Sequence, residues 1–251
     1  MAVWLSIRWR WMICLNMLHV KNLVLRRGKD PETFELRISD LKLMKGEVVA
    51  LHGSSGIGKS TCLELLAGVV RPDQAEKFII TESDKEDIDL TCPNLDTAPL
   101  RAGPIGFAPQ SGGLLGFLNG RANARAAIDL SGLNGHPLIE KRFDRIVNDL
   151  ALEDCLAKSR SALSGGQRKR ISLLRAIAVP RRLLLLDEPT AGLDNCLANR
   201  VISCIMRICR EDETICIAAM HDLGRAKKYN MVSIQILQKP GGAILSPPVG
   251  K

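Results

Sequence analysis

The apolar run Glu47-Val48-Val49-Ala50-Leu51-His52 passes through Gly53-Ser54-Ser55-Gly56-Ile57-Gly58 straight into Lys59-Ser60-Thr61 and an amphipathic stretch that ends near Ala67. A short buried strand that turns over three glycines into a helix is the opening unit of an α/β fold. At such a junction the free backbone N–H groups point outward and the helix dipole favours negative charge. Gly53, Gly56 and Gly58 let the backbone of Ser54, Ser55 and Ile57 wrap phosphate oxygens with no side chain in the way. Lys59 is then expected to reach the β- and γ-phosphates of a nucleoside triphosphate, Ser60 to ligate Mg²⁺, and Thr61 to bond the α-phosphate.

Downstream, Leu183-Leu184-Leu185-Leu186 runs into Asp187-Glu188. Four successive leucines fit a central parallel strand covered on both faces. A carboxylate at the end of such a strand needs a partner, and Mg²⁺ held through water is the expected one for Asp187. Glu188, one residue further out, is placed to polarise a water in line with the γ-phosphate. Between these elements lies Leu163-Ser164-Gly165-Gly166-Gln167. Ser164 is a good helix N-cap, and Gly165 and Gly166 leave the first amides of the helix bare, which makes a second anion site.

With these motifs in this order, the chain resembles the ATP-binding-cassette ATPases from about Met17 to Leu245. Leu163 to Gln167 matches that family's signature without a change. The resemblance implies that Gln110, in Gly106-Phe107-Ala108-Pro109-Gln110, contacts Mg²⁺ and the attacking water. It implies that Asp194 is the D-loop aspartate and that His221, preceded by Met220 where threonine is common, bonds the γ-phosphate. Ser164, Gly165, Gly166, Gln167 and Asp194 would serve nucleotide on a second cassette, since members of the family dimerise head to tail, here expected as a homodimer. At the place where the family stacks an aromatic residue on adenine stands Arg27, whose guanidinium plane is an alternative stacking surface.

The implied function is that of the ATP-binding and hydrolysing subunit of a transporter. It would drive a separate membrane permease, in the manner of lipoprotein-release or macrolide exporters, from the cytoplasmic face of a membrane. The competing reading is a soluble cassette ATPase acting on nucleic acid or ribosomes. Such relatives usually carry paired cassettes or a coiled-coil insertion, and neither is present. The net charge of +8 is compatible with nucleic acid,. However, Arg168, Lys169 and Arg170 follow the signature and no zinc, RRM or helix-turn-helix pattern accompanies them, so no specific nucleic acid is expected.

The expected architecture is an α/β nucleotide-binding core with a mainly parallel sheet, an antiparallel β subdomain near the N-terminus, and a helical subdomain at about 111–163, all within a domain at 17–251. Leu138 to Leu156 carries an apolar stripe through Ile139, Phe143, Ile146, Val147 and Leu150. Strands are expected over Thr214–Ala219 and Met231–Gln238, completing the sheet and its C-terminal edge, with Gly241-Gly242 as a turn. The acidic stretch from Asp73 to Asp96 reads as a solvated flap. Eight cysteines without a CxxC pair read as reduced thiols,.

Trp4, Trp9 and Trp11 precede Met17, where either an interfacial segment or a translation start at Met17 is expected. No run reaches the ~20 apolar residues of a membrane span. Finally, Ser111 to Asn119 is glycine-rich yet carries Leu114, Leu115, Phe117 and Leu118. These side chains are expected either to meet a partner or to fold into the helical core.

Overall fold

A computed structural model describes residues 15–28, 33–82 and 87–245. The expectations for Trp4, Trp9 and Trp11 lie outside the described residues. Among the described residues ten strands form one continuous sheet: β1 (Leu15–Arg27), β2 (Phe34–Met44), β3 (Val48–His52), β4 (Lys77–Glu82), β5 (Ile88–Asp89), β6 (Ile105–Ala108), β7 (Leu183–Asp187), β8 (Ile215–Ala219), β9 (Val232–Lys239) and β10 (Gly242–Leu245). Their spatial order is β5-β4-β1-β2-β10-β9-β3-β8-β7-β6. The β9-β3-β8-β7-β6 half is parallel. The β5-β4-β1-β2 half is antiparallel. β10 joins them, antiparallel to β9 and parallel to β2.

The helices are α1 (Lys59–Leu66), α2 (Ala98–Ala102), α3 (Gly120–Leu130), α4 (Pro137–Asp149), α5 (Gly165–Ile177), α6 (Asn195–Asp212) and α7 (Leu223–Lys228). The sheet separates two apolar cores. Because side chains alternate along a strand, Leu184 and Leu186 enter the core beneath α3, α4, α5 and α6. Leu183 and Leu185 enter the core shared by α1 and the antiparallel strands. Every side chain of β7 is buried, as its unbroken apolar run requires,. In α4 the residues Ile139, Phe143, Ile146 and Val147 are buried, and Leu150 follows them just past the helix end. Arg142 of α4 forms a two-pronged pair with Asp212 of α6, its Nη2 standing 2.7 Å from Oδ2. The described cysteines are all free, and Cys62, Cys155, Cys204, Cys209 and Cys216 are buried.

A buried arginine closes one end of the parallel sheet. Arg181, just before β7, donates to the carbonyls of Ala176, Ala102 and Gly103. These carbonyls lie at the C-terminal ends of α5 and α2, where the helix dipole favours a cation. Burial pulls its guanidinium down to about 10.

Two expectations are corrected. The stretch from Asp73 to Asp96 is not a solvated flap, for its described residues supply β4 and β5. Phe78 is 1% exposed and Ile80 is also buried, while Glu76 is held by Lys21 and Asn22. Acidic residues bracket an alternating apolar pair, and the pair decides where the chain goes. The strand at 232–239 is not the sheet's edge either. β10 follows it through a turn at Gly241, whereas Gly242 is the first residue of that strand.

Phe78→Ala should therefore lower the unfolding free energy by about 3–5 kcal/mol, measured by urea denaturation. A solvated flap would give less than about 0.5 kcal/mol.

Candidate functional site

The parallel strands all end on one edge, and the candidate residues follow those ends. The glycine loop leaves β3 and enters α1, whose N-cap Gly58 has φ 103°, with Gly56 at φ 74°. Both values lie in the left-handed region that glycine tolerates. Gly58 is also crowded, since a Cβ there would stand 2.9 Å from Phe34 Cζ. Lys59 is buried and folds over the loop, its Nζ donating to the carbonyls of Gly53 at 3.0 Å and Ser54 at 2.9 Å. Ser54, Ser55 and Gly56 are exposed along the loop, whereas the Ile57 side chain is buried. Ile57 can therefore offer a ligand only its backbone. Ser60 and Thr61 form the first turn of α1 and are half-buried.

Asp187 ends β7 and is 5% exposed. Burial raises its pKa; the Ser60 hydroxyl hydrogen bond opposes that rise, the charge of Glu188 adds to it, and the Gln110 backbone and Lys59 pull the other way. A buried carboxylate with a hydroxyl at its side is a hard oxygen donor set of the kind Mg²⁺ takes.

Glu188 follows with φ 52°, a conformation that costs a non-glycine residue about 1–3 kcal/mol and is commonly kept at functional sites. Its N–H donates to Ala219 O at 3.1 Å. Its carboxylate lies between two side chains from neighbouring strand ends. Gln110 Nε2 donates to Oε2 at 3.0 Å, and His221 Nε2 is 2.7 Å from Oε1. Gln110, Asp187, Glu188 and His221 are thus brought together beside the glycine loop.

Ser164 to Gln167 and Asp194 are not part of that cluster. Ser164 caps α5 in a reciprocal box: Gln167 N–H donates to Ser164 Oγ at 3.1 Å, and Ser164 N–H to Gln167 Oε1 at 2.9 Å. Asp194 caps α6 by accepting from Leu197 N–H at 3.0 Å. The box engages the Gln167 amide and leaves the Gly165 and Gly166 N–H groups outside the helix ladder. Arg27, at the end of β1, gives its Nη2 to Glu64 Oε2 on α1 at 3.0 Å. Across the β1–β2 ladder from it stands Phe34, an aromatic residue at the glycine loop that sequence reading missed. Its only signal is its place in the hairpin. In the loop after Gln110, Leu114 is buried, but Leu115 is 44% and Phe117 83% exposed.

A glycine loop, a buried Asp–Glu strand end and polar side chains gathered at the carboxyl ends of parallel strands define a P-loop ATPase. A family profile described as ABC transporter matches residues 36–191, and the chain belongs to that family. It binds and hydrolyses ATP. The chain is 32% identical to the lipoprotein-releasing system ATP-binding protein LolD of Neorickettsia sennetsu, over 82% of this chain and 88% of LolD. It is 31% identical to the thiamine import ATP-binding protein ThiQ of a Jannaschia species, over 94% of each. It is 36% identical to the macrolide export ATP-binding/permease protein MacB of Wolinella succinogenes over 77% of this chain, a match spanning only 29% of MacB. In fold it resembles the ATP-binding cassette MJ0796 solved as a dimer with ADP and Pi, with a TM-score of 0.75 at 23% identity over 93% of this chain and 97% of that one.

Gly58→Ala should destabilise the protein more than Gly56→Ala. Both place a side chain at positive φ, at a cost of about 1–2 kcal/mol, but only at Gly58 does the new methyl meet a ring; a Cβ at Gly56 meets nothing within 4 Å. Thermal unfolding of the two variants reads the difference.

Proposed function

We propose that this chain is the ATP-hydrolysing subunit of a membrane transporter, working as a head-to-tail pair of cassettes. Each ATP would lie between the glycine loop of one copy and Ser164–Gln167 of the other. The carrying observation is the carboxylate of Glu188, held between Gln110 and His221 beside a buried Asp187. A base positioned from three separate strand ends suits attack by water on a terminal phosphate.

In this reading Gly53 to Thr61 hold the phosphates, with Lys59 leaving the Gly53 and Ser54 carbonyls for the β- and γ-phosphate oxygens. Ser60, Asp187 and Gln110 would hold Mg²⁺, which supplies positive charge against the phosphates. Glu188 accepts the proton of the attacking water, Gln110 orients that water, and His221 turns from Glu188 to the γ-phosphate. The bare amides of Gly165 and Gly166 face the nucleotide of the partner copy, with Ser164 and Gln167 fixing the helix end that presents them. Asp194 sets the adjoining α6 end. Arg27 lends its guanidinium plane to the base from its position against Glu64.

No helix among the described residues is long and apolar enough to cross a membrane, so the transport path would lie in a separate permease, with this chain at its cytoplasmic face. The exposed Leu115 and Phe117 support a docking contact there. LolD and MacB are named for release and export and ThiQ for import, so the relatives together support transport, and the reading as an exporter rests on LolD and MacB alone. A ribosome recycling factor shares the fold at 22% identity and a TM-score of 0.65, but the relatives named above are transport proteins, which favours transport over action on ribosomes or nucleic acid.

Glu188→Gln should retain ATP and dimerise on it, with turnover lower by about 10²- to 10⁴-fold in a phosphate-release assay. Turnover within about threefold of wild type would remove Glu188 from this role. Mixing Lys59→Ala with Ser164→Arg, each inactive alone, should restore part of the activity through one composite site. No recovery in proven mixed dimers overturns the head-to-tail arrangement. Phe117→Asp should spare ATP binding by the isolated subunit while weakening co-purification with a permease; unchanged co-purification moves the docking contact elsewhere.

A further inference from the structure

The segment that follows Gln110 is built onto α5 rather than onto the strand it leaves. Gly112 and Gly113 both have positive φ, 80° and 51°. A Cβ on Gly112 would stand 3.3 Å from the Arg168 backbone, and one on Gly113 would stand 3.2 Å from Pro109 and 3.6 Å from Arg175 Nη2. Arg175 Nη2 donates to Gly113 O at 3.1 Å and reaches Gly112 O at 3.5 Å. Arg168 and Arg175 are about two turns apart on one helix, so the loop lies along α5 just past the signature.

The other end of the segment is held by Asn123 of α3, which is fully buried. Its Oδ1 accepts from Leu115 N–H at 2.8 Å. Its Nδ2 donates to the carbonyls of Leu115 at 3.1 Å, Leu118 at 3.0 Å and Asn119 at 3.1 Å, one proton being shared,. A glycine-rich stretch is thereby fixed at both ends. Burial lowers the Arg175 pKa, and its carbonyl partners, unlike a carboxylate, add no full charge to oppose that,.

We infer that Arg175 and Asn123 are positioning residues that lock the segment from Gln110 to Asn119 onto α5 and α3, so that Gln110 follows the signature helix and the Leu115–Phe117 ledge moves with it. The inference rests on the proposed role of Gln110 in hydrolysis. α5 then carries the Gly165 and Gly166 amides at one end and steers Gln110 from its side. A displacement of that helix shifts the donor on Glu188 without any change in β6 or β7.

The test compares Arg175→Met, Arg175→Lys and Asn123→Ala with wild type and with Glu188→Gln. Misplacement of a water-orienting group by about 1 Å costs on the order of 10²-fold. Arg175→Met is expected to lower kcat by about 10- to 100-fold while KM for ATP stays within about twofold, with thermal stability largely kept. Arg175→Lys should recover part of kcat, since one ammonium can serve one of the two carbonyls. Unchanged kcat, or a kcat loss accompanied by weaker ATP binding or unfolding, overturns the inference.

Amide exchange reads the lock apart from turnover. The Leu115 N–H should exchange slowly in wild type and at least about tenfold faster in Asn123→Ala. Fast exchange in wild type overturns the inference even if hydrolysis behaves as expected. Hydrolysis that does not depend on Glu188 overturns the reading of the site instead, and leaves the exchange result to decide the lock.

Discussion

The parallel register around β7 is the constraint on which the site depends. β7 pairs with β6 so that Leu186 lies opposite Ala108, and with β8 so that Asp187 lies opposite Ala219. Gln110 and His221 each follow those partners by two residues, and Glu188 follows Asp187 by one. Their meeting is therefore a consequence of ladder hydrogen bonds formed several residues away. A one-residue slip would send each β7 side chain to the opposite face. It would exchange Leu184 and Leu186 for Leu183 and Leu185 in two differently shaped cores, so the packing that stabilises the sheet also fixes the chemistry at its edge.

That edge carries local costs that the packing must cover. Asp187 is a desolvated acid, and Glu188 is a non-glycine residue at positive φ. Neither conformation nor burial would survive in a loose loop. Glu188 is held from both directions, by its N–H on Ala219 O and by its carboxylate between Gln110 and His221. The polar groups thus restrain one another only because three strands arrive in parallel and stop together. Arg181 contributes at the opposite end of β7, where its donors gather the ends of α2 and α5 against the strand's start.

Much of this is legible in the sequence where the signal is local. The glycine loop announces itself because strand, turn and helix are contiguous, and the leucine run because burial on both faces leaves no polar position. The α4 stripe from Ile139 to Leu150 is legible for the same reason, since one helix face is one pattern. What escapes is non-local or masked. In Lys77–Glu82 the alternation of Phe78 and Ile80 is only two residues deep and is surrounded by acids, so charge outweighs pattern. β10 is four residues long, begins at a glycine and pairs with β2, some two hundred residues earlier in the chain. Phe34 beside Gly58, like Asn123 beneath Leu115, has no motif at all, since each gains its place only when distant elements pack.

The capping box of α5 shows how a local helix signal can carry a longer-range role. Ser164 and Gln167 satisfy one another's backbone groups, which fixes the helix start without any ligand. The cap leaves the Gly165 and Gly166 amides as the groups still seeking an anion. Within one chain those amides stand at the start of α5, apart from the cluster at Glu188, so in the proposed pair of cassettes the anion they favour would come with another surface. In the proposed pair of cassettes a second copy would supply that surface, with the phosphates of a nucleotide on its glycine loop reaching past the exposed Ser54 and Ser55. The two half-sites on each chain would then be complementary, and the two-fold symmetry of such a pair would satisfy both at once.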